Sequence, residues 1–312
     1  MEYLRHNELK SLLVGSLKYM FRRRPEMRIM RHQPPREPLV SVIIPTYNRS
    51  NVLQIAICSV LWQTEQNFEL LVMGDGCTDE SELVVNSFGD RRIQWHNLPA
   101  NSGHQSAPNN AGLALARGRY IAFLGHDDVW HPEHLSTLLA AIVSAPADIA
   151  SSLVELIGPS GTNYRIVTGI YPAGGFDAVE CLPPSGLMHS REVNQRIGGW
   201  PDYRTVWRNP ECEYEYQAYL AGFRFVSTGE LTAFHFNSAQ RRNSYIEKTC
   251  HEQTAYLERI RKHRYFLLKE TLDIAWIHFR RLPMKYYSVP PPPAPHTPGW
   301  HVTHYRKFRG LE

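Results

Sequence analysis

The chain has 312 residues, 43% of them hydrophobic and 21% charged, the composition of a globular protein with one large domain or two small ones and not of a disordered or fibrous one. The net charge of +4 is unevenly placed: residues 1–37 carry nine Lys or Arg against four acids, residues 261–312 carry ten against three, and residues 38–260 hold 15 against 23. An acidic body between basic ends argues against a nucleic-acid-binding core, because phosphate affinity needs a basic stripe on the folded surface.

The first element is LKSLLVGSLKYMF, where Leu9, Leu13, Leu17 and Met20 or Phe21 share one helical face and Arg22, Arg23 and Arg24 follow. Two readings stand: a helix lying on an anionic membrane surface, or one packed on the domain with a solvated charged face. It is too short, and too interrupted by Lys18, to span a bilayer, and its arginines follow the apolar part, the wrong order for a signal peptide. From Pro38 the chain alternates periods. PLVSVIIP reads as a strand buried on both faces, and the stretch from Ser50 to Thr64 as a helix capped by Ser50 or Asn51. FELLVM, RIQWH and RYIAFLG are further strands, separated by a short helix to Phe88 and a helix in SAPNNAGLALARG. HPEHLSTLLAAIVSA reads as a helix with Pro132 at its first position and His131 as cap.

Such alternation predicts a parallel sheet covered on both faces, with ligands outside the carboxyl ends of the strands. Beyond Asp148 the pattern weakens into DIASSLVELIG, YRIVTGIY, a helix in ECEYEYQAYLAG and a short strand FRFVST. Residues 251–282 read as one long basic helix, and YYSVPPPPAPHTPGW as extended polyproline or disordered chain.

Three strand-end loops carry the polar groups. PTYNRS offers Pro45, Thr46, Tyr47 and Asn48; GDGCTD offers Asp75, with Gly76 allowing close approach; GHDDVW offers Asp127 and Asp128. The two aspartates lie three and four residues before the cap at His131, so capping does not explain them. Adjacent carboxylates repel unless a cation sits beside them, and hard oxygen ligands suit Mg²⁺ or Mn²⁺ bridged to substrate phosphates. Together the loops describe a site for a nucleoside diphosphate and a metal. There is no GxGxxG and no P-loop. Five cysteines show no CxxC pair and no short-spaced framework, so reduced thiols in a reducing compartment are expected.

SVIIPTYNR, SVLWQT followed by FELLVMGDGCTDES, and NSGHQSAPNNAGLALARGRYIAFLGHDDVW resemble, in order and spacing, the motifs of the family 2 glycosyltransferases over residues 38–235. The resemblance implies the GT-A fold: a Rossmann-like, mostly parallel α/β sheet with helices on both faces and a smaller acceptor-side α+β half. It divides the chain into a basic amphipathic arm (1–37), a glycosyltransferase domain (38–250, with a nucleotide-binding half to 153 and an acceptor half from 154) and a basic C-terminal helix with a Pro-rich tail (251–312).

The same resemblance implies that Pro45, Thr46, Tyr47 and Asn48 meet the nucleoside, that Asp75 holds the base or ribose, and that Asn109 lies near the donor. It puts Asp128 on the metal and Asp127 on metal or ribose. The general base falls roughly three helical turns before a Gly-aromatic pair. Counting back from Gly222-Phe223 places Glu211 there, with Glu213 as runner-up, although an acidic first helical turn explains Glu213 and Glu215 as well. His235 and Arg241 lie where the family contacts the diphosphate, and Trp200 in a Gly-Gly-aromatic turn where it could floor the sugar site or be buried. The sequence departs from the family at Gly74 and Gly125, where acids are common, and at Pro210-Glu211, where Glu-Asp is usual.

The expected activity is inverting transfer from a nucleotide-sugar, UDP-sugar favoured, to a saccharide or lipid-linked acceptor with Mn²⁺ or Mg²⁺. Two alternatives are a non-catalytic nucleotide-sugar or glycan-binding relative and a nucleotidyltransferase, the latter lacking its Gly-rich loop. The expected location is the cytoplasm, with the basic ends in peripheral contact with the inner face of the membrane.

Overall fold

A computed structural model describes residues 4–20, 27, 33–171, 175–177, 181–285 and 296–311. In chain order its elements are α1 (His6–Leu17), β1 (Val40–Thr46), α2 (Ser50–Leu61), β2 (Phe68–Gly74), α3 (Ser81–Ser87), β3 (Ile93–Asn97), α4 (Ser106–Leu115), β4 (Tyr120–Phe123), β5 (Val129–Trp130) and α5 (His134–Ser144). There follow β6 (Ile149–Ile157), β7 (Arg165–Thr168), β8 (Leu187–Ser190), α6 (Arg191–Ile197), α7 (Pro210–Leu220), β9 (Phe225–Phe236), α8 (Ser244–Glu247), α9 (His251–Lys262), α10 (Phe266–Phe279) and α11 (Trp300–Arg309).

The strands form one nine-stranded sheet in the order β3-β2-β1-β4-β8-β6-β9-β5, with β7 on β6. The β3-β2-β1-β4 part is parallel throughout, as the apolar runs predict: all seven residues of β1 and all seven of β2 are buried. Past β4 the pairing turns antiparallel, apart from β6 with β9. The strand order reverses beside β1. In register, Thr46 lies opposite Gly74 and Ile43 opposite Phe123, so the three polar loops emerge at one edge.

Several sequence expectations change. The helix expected at Pro132 starts at His134, because residues 129–130 pair with β9 and the His131 N–H bonds to the Thr232 carbonyl. FRFVST is the start of a 12-residue strand that continues through His235. The long basic helix is two, α9 and α10, and the break brings Tyr256, Ile260, Phe266 and Ile274 into the same core cluster. The last part of the polyproline-like tail turns into α11, begun after Gly299 and ended at Gly310, both with positive φ; Tyr286 to Ala294 and Pro295 lie outside the described residues.

The N-terminal helix packs on the domain. Its buried face is Leu12, Gly15 and Ser16, not the predicted Leu9, Leu13 and Leu17, and Leu17 is exposed. A Cβ on Gly15 would fall 2.4 Å from the Gly229 carbonyl of β9, so only glycine permits this approach. The basic run Arg22 to Arg24 lies outside the described residues. Among the described residues no helix is long and apolar enough to cross a membrane.

Candidate functional site

The carboxyl ends of β1, β2 and β4 open on a cavity of about 430 Å³, a size that suits a small-molecule ligand. Pro45, Thr46 and Tyr47 from the first loop, Asp75 from the second, and Asp127 and Asp128 from the third all line it. The Thr46 hydroxyl is buried without a hydrogen-bond partner, in keeping with a ligand-facing group. Asp75 is held rigidly: its carboxylate accepts from Asn101 Nδ2 at 2.8 Å and from the Ser102 N–H at 3.0 Å. Burial pushes its pKa up against the opposing pull of those Ser102 bonds.

The two aspartates have different environments. Asp128 Oδ2 accepts from the Ser185 hydroxyl and from His235 Nδ1 at 2.9 Å, and Oδ1 from the Phe236 N–H at 3.0 Å. Asp128 is 2% exposed, so its oxygens serve to fasten the loop to β9 and to the turn at Ser185. Asp127 is half-buried on the cavity wall, and although burial pushes its pKa up, His126, Arg49 and His235 hold it below the ordinary carboxylate range. Both aspartates line the cavity, and Asp128 is the more heavily hydrogen-bonded of the two. Gly125 is not merely a missing acid, since a Cβ there would fall 2.8 Å from Asp128 Oδ2. At Gly74 a Cβ would meet Asn97 Oδ1 at 2.4 Å, so no acid fits there either.

The same cavity is lined by Glu211, the second residue of α7, whose Oε2 is buried without a hydrogen-bond partner. Burial raises its pKa above the ordinary 4.5, against weaker pulls from its own backbone N–H, His235 and Arg309. His104 Nε2 lies 3.7 Å from that oxygen. Burial pulls His104 down to about 3, with Arg309 adding to the effect, so a neutral imidazole faces Glu211 and the two are not an ion pair. The Ser106 N–H donates to His104 Nδ1 at 3.2 Å, which puts the ring proton on Nε2, toward Glu211.

The loop before β8 joins α7 to Asp128. Cys181 is disulfide-bonded to Cys212, next to Glu211, and the Leu182 N–H donates to the buried Glu215 carboxylate at 3.1 Å. Three residues on, Ser185 grips Asp128. The expectation of five reduced thiols is thus corrected: Cys181 and Cys212 are 31 residues apart in sequence and meet only because α7 packs beside this loop. The cysteine-based argument for a reducing compartment falls with it. Glu215 is likewise no solvated helix-turn acid, for burial pushes its carboxyl well above the ordinary range.

Other expected contacts do not converge here. Asn48 turns away to accept from the Thr78 N–H at 2.8 Å and the Asp79 N–H at 3.2 Å. Asn109 is wholly buried in α4 and outside the cavity lining. Glu213 accepts from Gln217 at 2.6 Å on the helix surface. Arg241 is committed to the carbonyls of Ile157 and Gly158 and to Glu252 at 2.7 Å. Trp200 stacks on Tyr214 with centroids 5.0 Å apart and meets Phe123 edge-on, 4% exposed, so it supports α7 from within the core and does not floor a sugar site. His235 does line the cavity, with Nδ1 turned to Asp128.

The sequence reading missed Tyr245 of α8 and the whole contribution of α11. Tyr305, Arg306 and Arg309 line the cavity; Arg306 Nη1 donates to the Gly103 carbonyl at 2.9 Å, and the Arg309 guanidinium lies 5.8 Å from the Tyr245 ring centroid. Arg49, 3% exposed with Nε and Nη1 unpartnered, lies against the same ring at 5.3 Å. The bracketing Gly299 and Gly310, with no proline between them, are the signal that could have revealed α11.

Among curated proteins, Escherichia coli WfgD, a UDP-Glc:alpha-D-GlcNAc-diphosphoundecaprenol beta-1,3-glucosyltransferase, is 44% identical over 150 residues, covering 48% of this chain and 55% of WfgD. Protein CgeD of Bacillus subtilis is 31% identical over 192 residues, covering 55% of this chain and 44% of CgeD. The chain spans about half the length of these curated relatives, and 30% of another that it matches. The S. aureus TarS structure in complex with UDP-GlcNAc shares the fold, with a TM-score of 0.56 at 19% identity over 76% of this chain and 72% of that one. Residues 41–246, which include all three strand-end loops and Glu211, match glycosyl transferase family 2, and the chain belongs to that family.

Proposed function

We propose that the protein is an inverting glycosyltransferase that moves a sugar from a nucleoside-diphosphate sugar to a hydroxyl of a saccharide or lipid-linked acceptor. The observation that carries this reading is the buried, unpartnered Glu211 Oε2 in the lining of the same cavity as Asp75 and Asp127. The nucleoside lies against Thr46, Tyr47 and Asp75. Arg306 and Arg309 meet the diphosphate, which their charge stabilises as it leaves. Glu211 takes the acceptor proton as the hydroxyl oxygen bonds to the anomeric carbon, and the electrons of the broken sugar–phosphate bond depart with the diphosphate. His104 and the disulfide orient Glu211. The donor and diphosphate-linked lipid acceptor in the name of WfgD support a UDP-sugar and an acceptor of that kind here.

Among the described residues no three His, Cys, Asp or Glu side chains converge as a complete metal cage. The donor set is one hard carboxylate, Asp127, which suits Mg²⁺ or Mn²⁺ held jointly with substrate phosphates. A cation so bound supplies further neutralisation of the leaving diphosphate. The test is nucleoside diphosphate release from a panel of UDP-, GDP- and dTDP-sugars with Mn²⁺, comparing wild type, Asp127→Ala and Glu211→Gln. Turnover with a UDP-sugar, lost in both variants, is expected. Donor binding without turnover on any acceptor, unaffected by Glu211→Gln, would instead fit the binding-only relative that Gly125 brings to mind.

A further inference from the structure

The outer face of α10 carries a second apolar surface. Its inner face, Phe266, Leu267, Glu270, Thr271, Ile274 and His278, is buried against the domain. On the opposite side Tyr265, Leu272, Trp276 and Phe279 recur at helical spacing and are 52%, 51%, 57% and 75% exposed. With 1.5 Å rise per residue the stripe is about 21 Å long. A helix apolar on both faces belongs inside a larger assembly or at an apolar boundary. Lys269 lies within the stripe, Arg264 precedes it, and Arg280 and Arg281 follow it; all four are exposed, and none is ion-paired among the described residues. Asp273 is the one exposed acid of the helix. Alongside, α1 runs antiparallel, tied by Leu4 to His278 and by Ser16 to Thr271, and adds exposed Val14 and Leu17.

We infer that α10, flanked by α1, is an in-plane docking surface for an anionic lipid bilayer. Charge decides for this occupant. Arg264, Lys269, Arg280 and Arg281 surround the stripe against the single exposed acid Asp273, and Tyr, Trp and Phe beside Lys and Arg match a layer that is apolar below and anionic above. The arginines at the two ends of α10 reach the headgroups while the rings enter the acyl boundary. The inference is independent of the donor chemistry, and it differs from the membrane reading of the N-terminal helix, one of the two the sequence left open, in which that helix supplied the apolar face.

The test is co-sedimentation of the full chain with phosphatidylcholine vesicles, with and without phosphatidylglycerol. The wild type is expected to bind the anionic vesicles only. The triple variant Leu272→Ser, Trp276→Ser, Phe279→Ser, and separately the pair Arg280→Glu, Arg281→Glu, should each weaken binding by about tenfold or more. All these side chains are exposed, so melting temperature and donor turnover in solution should stay at the wild-type level. Absence of wild-type binding to anionic vesicles, or unchanged binding by the triple variant, overturns the inference. So does a wild-type dimer that the triple variant turns into a monomer in light scattering, which would assign the stripe to a second copy. Loss of donor turnover in the wild type would strike the transferase reading and leave this one standing.

Discussion

A carboxylate that is to accept a proton must not spend its lone pairs on its neighbours. Glu211 meets that condition, whereas Asp128, with donors on both oxygens, does not. Glu211→Gln should lower turnover by about 10²–10⁴-fold while leaving donor affinity nearly unchanged, as measured by steady-state kinetics and donor titration. Because burial raises the Glu211 pKa, the group becomes an active base only as pH rises through that value. The rate with saturating donor should climb with a midpoint above 4.5 and then level off; a midpoint at or below 4.5 contradicts the assignment. The two aspartates should separate as well. Asp127→Ala should abolish donor binding at an unchanged melting temperature. Asp128→Ala should destabilise the fold by about 2–4 kcal/mol, because it strands two buried donors, the Ser185 hydroxyl and the Phe236 N–H, and unpairs the partly exposed His235, which thermal denaturation would report.

Two elements bring distant sequence to the cavity. Along α11, Arg306 and Arg309 stand one turn apart on the cavity side. Replacing either one with Ala should raise the donor KM by about tenfold to a hundredfold, given ~1.5–3 kcal/mol for a charge-assisted hydrogen bond, with a smaller effect on kcat. The Cys181–Cys212 bridge fastens the loop before β8 to α7, closing 31 residues. By loop-closure entropy it contributes roughly 3–4 kcal/mol, so the Cys181→Ser, Cys212→Ser pair should unfold at a clearly lower temperature and turn over more slowly at equal folded fraction. A reduced wild type that matches the oxidised one in both respects would count against the positioning role.

At the scale of the whole molecule, the C-terminal helices are joined to the sheet by a buried charge cluster. Arg165 of β7 bridges Glu155 of β6 and Glu270 of α10; Glu270 also receives Arg259 and, at 2.6 Å, the Tyr256 hydroxyl. Both carboxylates have no exposed side-chain surface, so Glu270→Ala should cost about 3–5 kcal/mol by leaving the partners unmatched. Chemical denaturation would measure it, and a change below ~1 kcal/mol would show that the cluster is solvated.

The boundary between what was legible in the sequence and what was not follows the range of the interactions concerned. Periodicity alone determined the β1–β4 half, since a strand buried on both faces must be a continuous apolar run, and with it the convergence of Thr46, Asp75 and Asp127 at one sheet edge. The resemblance to the family, counted back from Gly222-Phe223, pointed to Glu211. Choices among neighbouring polar residues needed the tertiary structure, because each depends on partners far away: His235 and Ser185 hydrogen-bond Asp128 at the cavity wall, Glu252 claims Arg241, Tyr214 and Phe123 bury Trp200, and the fold brings Cys181 to Cys212. The same holds for α11, which had no reading in the sequence and whose Arg306 and Arg309 line the cavity only through its packing. Local pattern reports which face of a segment is buried, and only the packed chain decides what covers it.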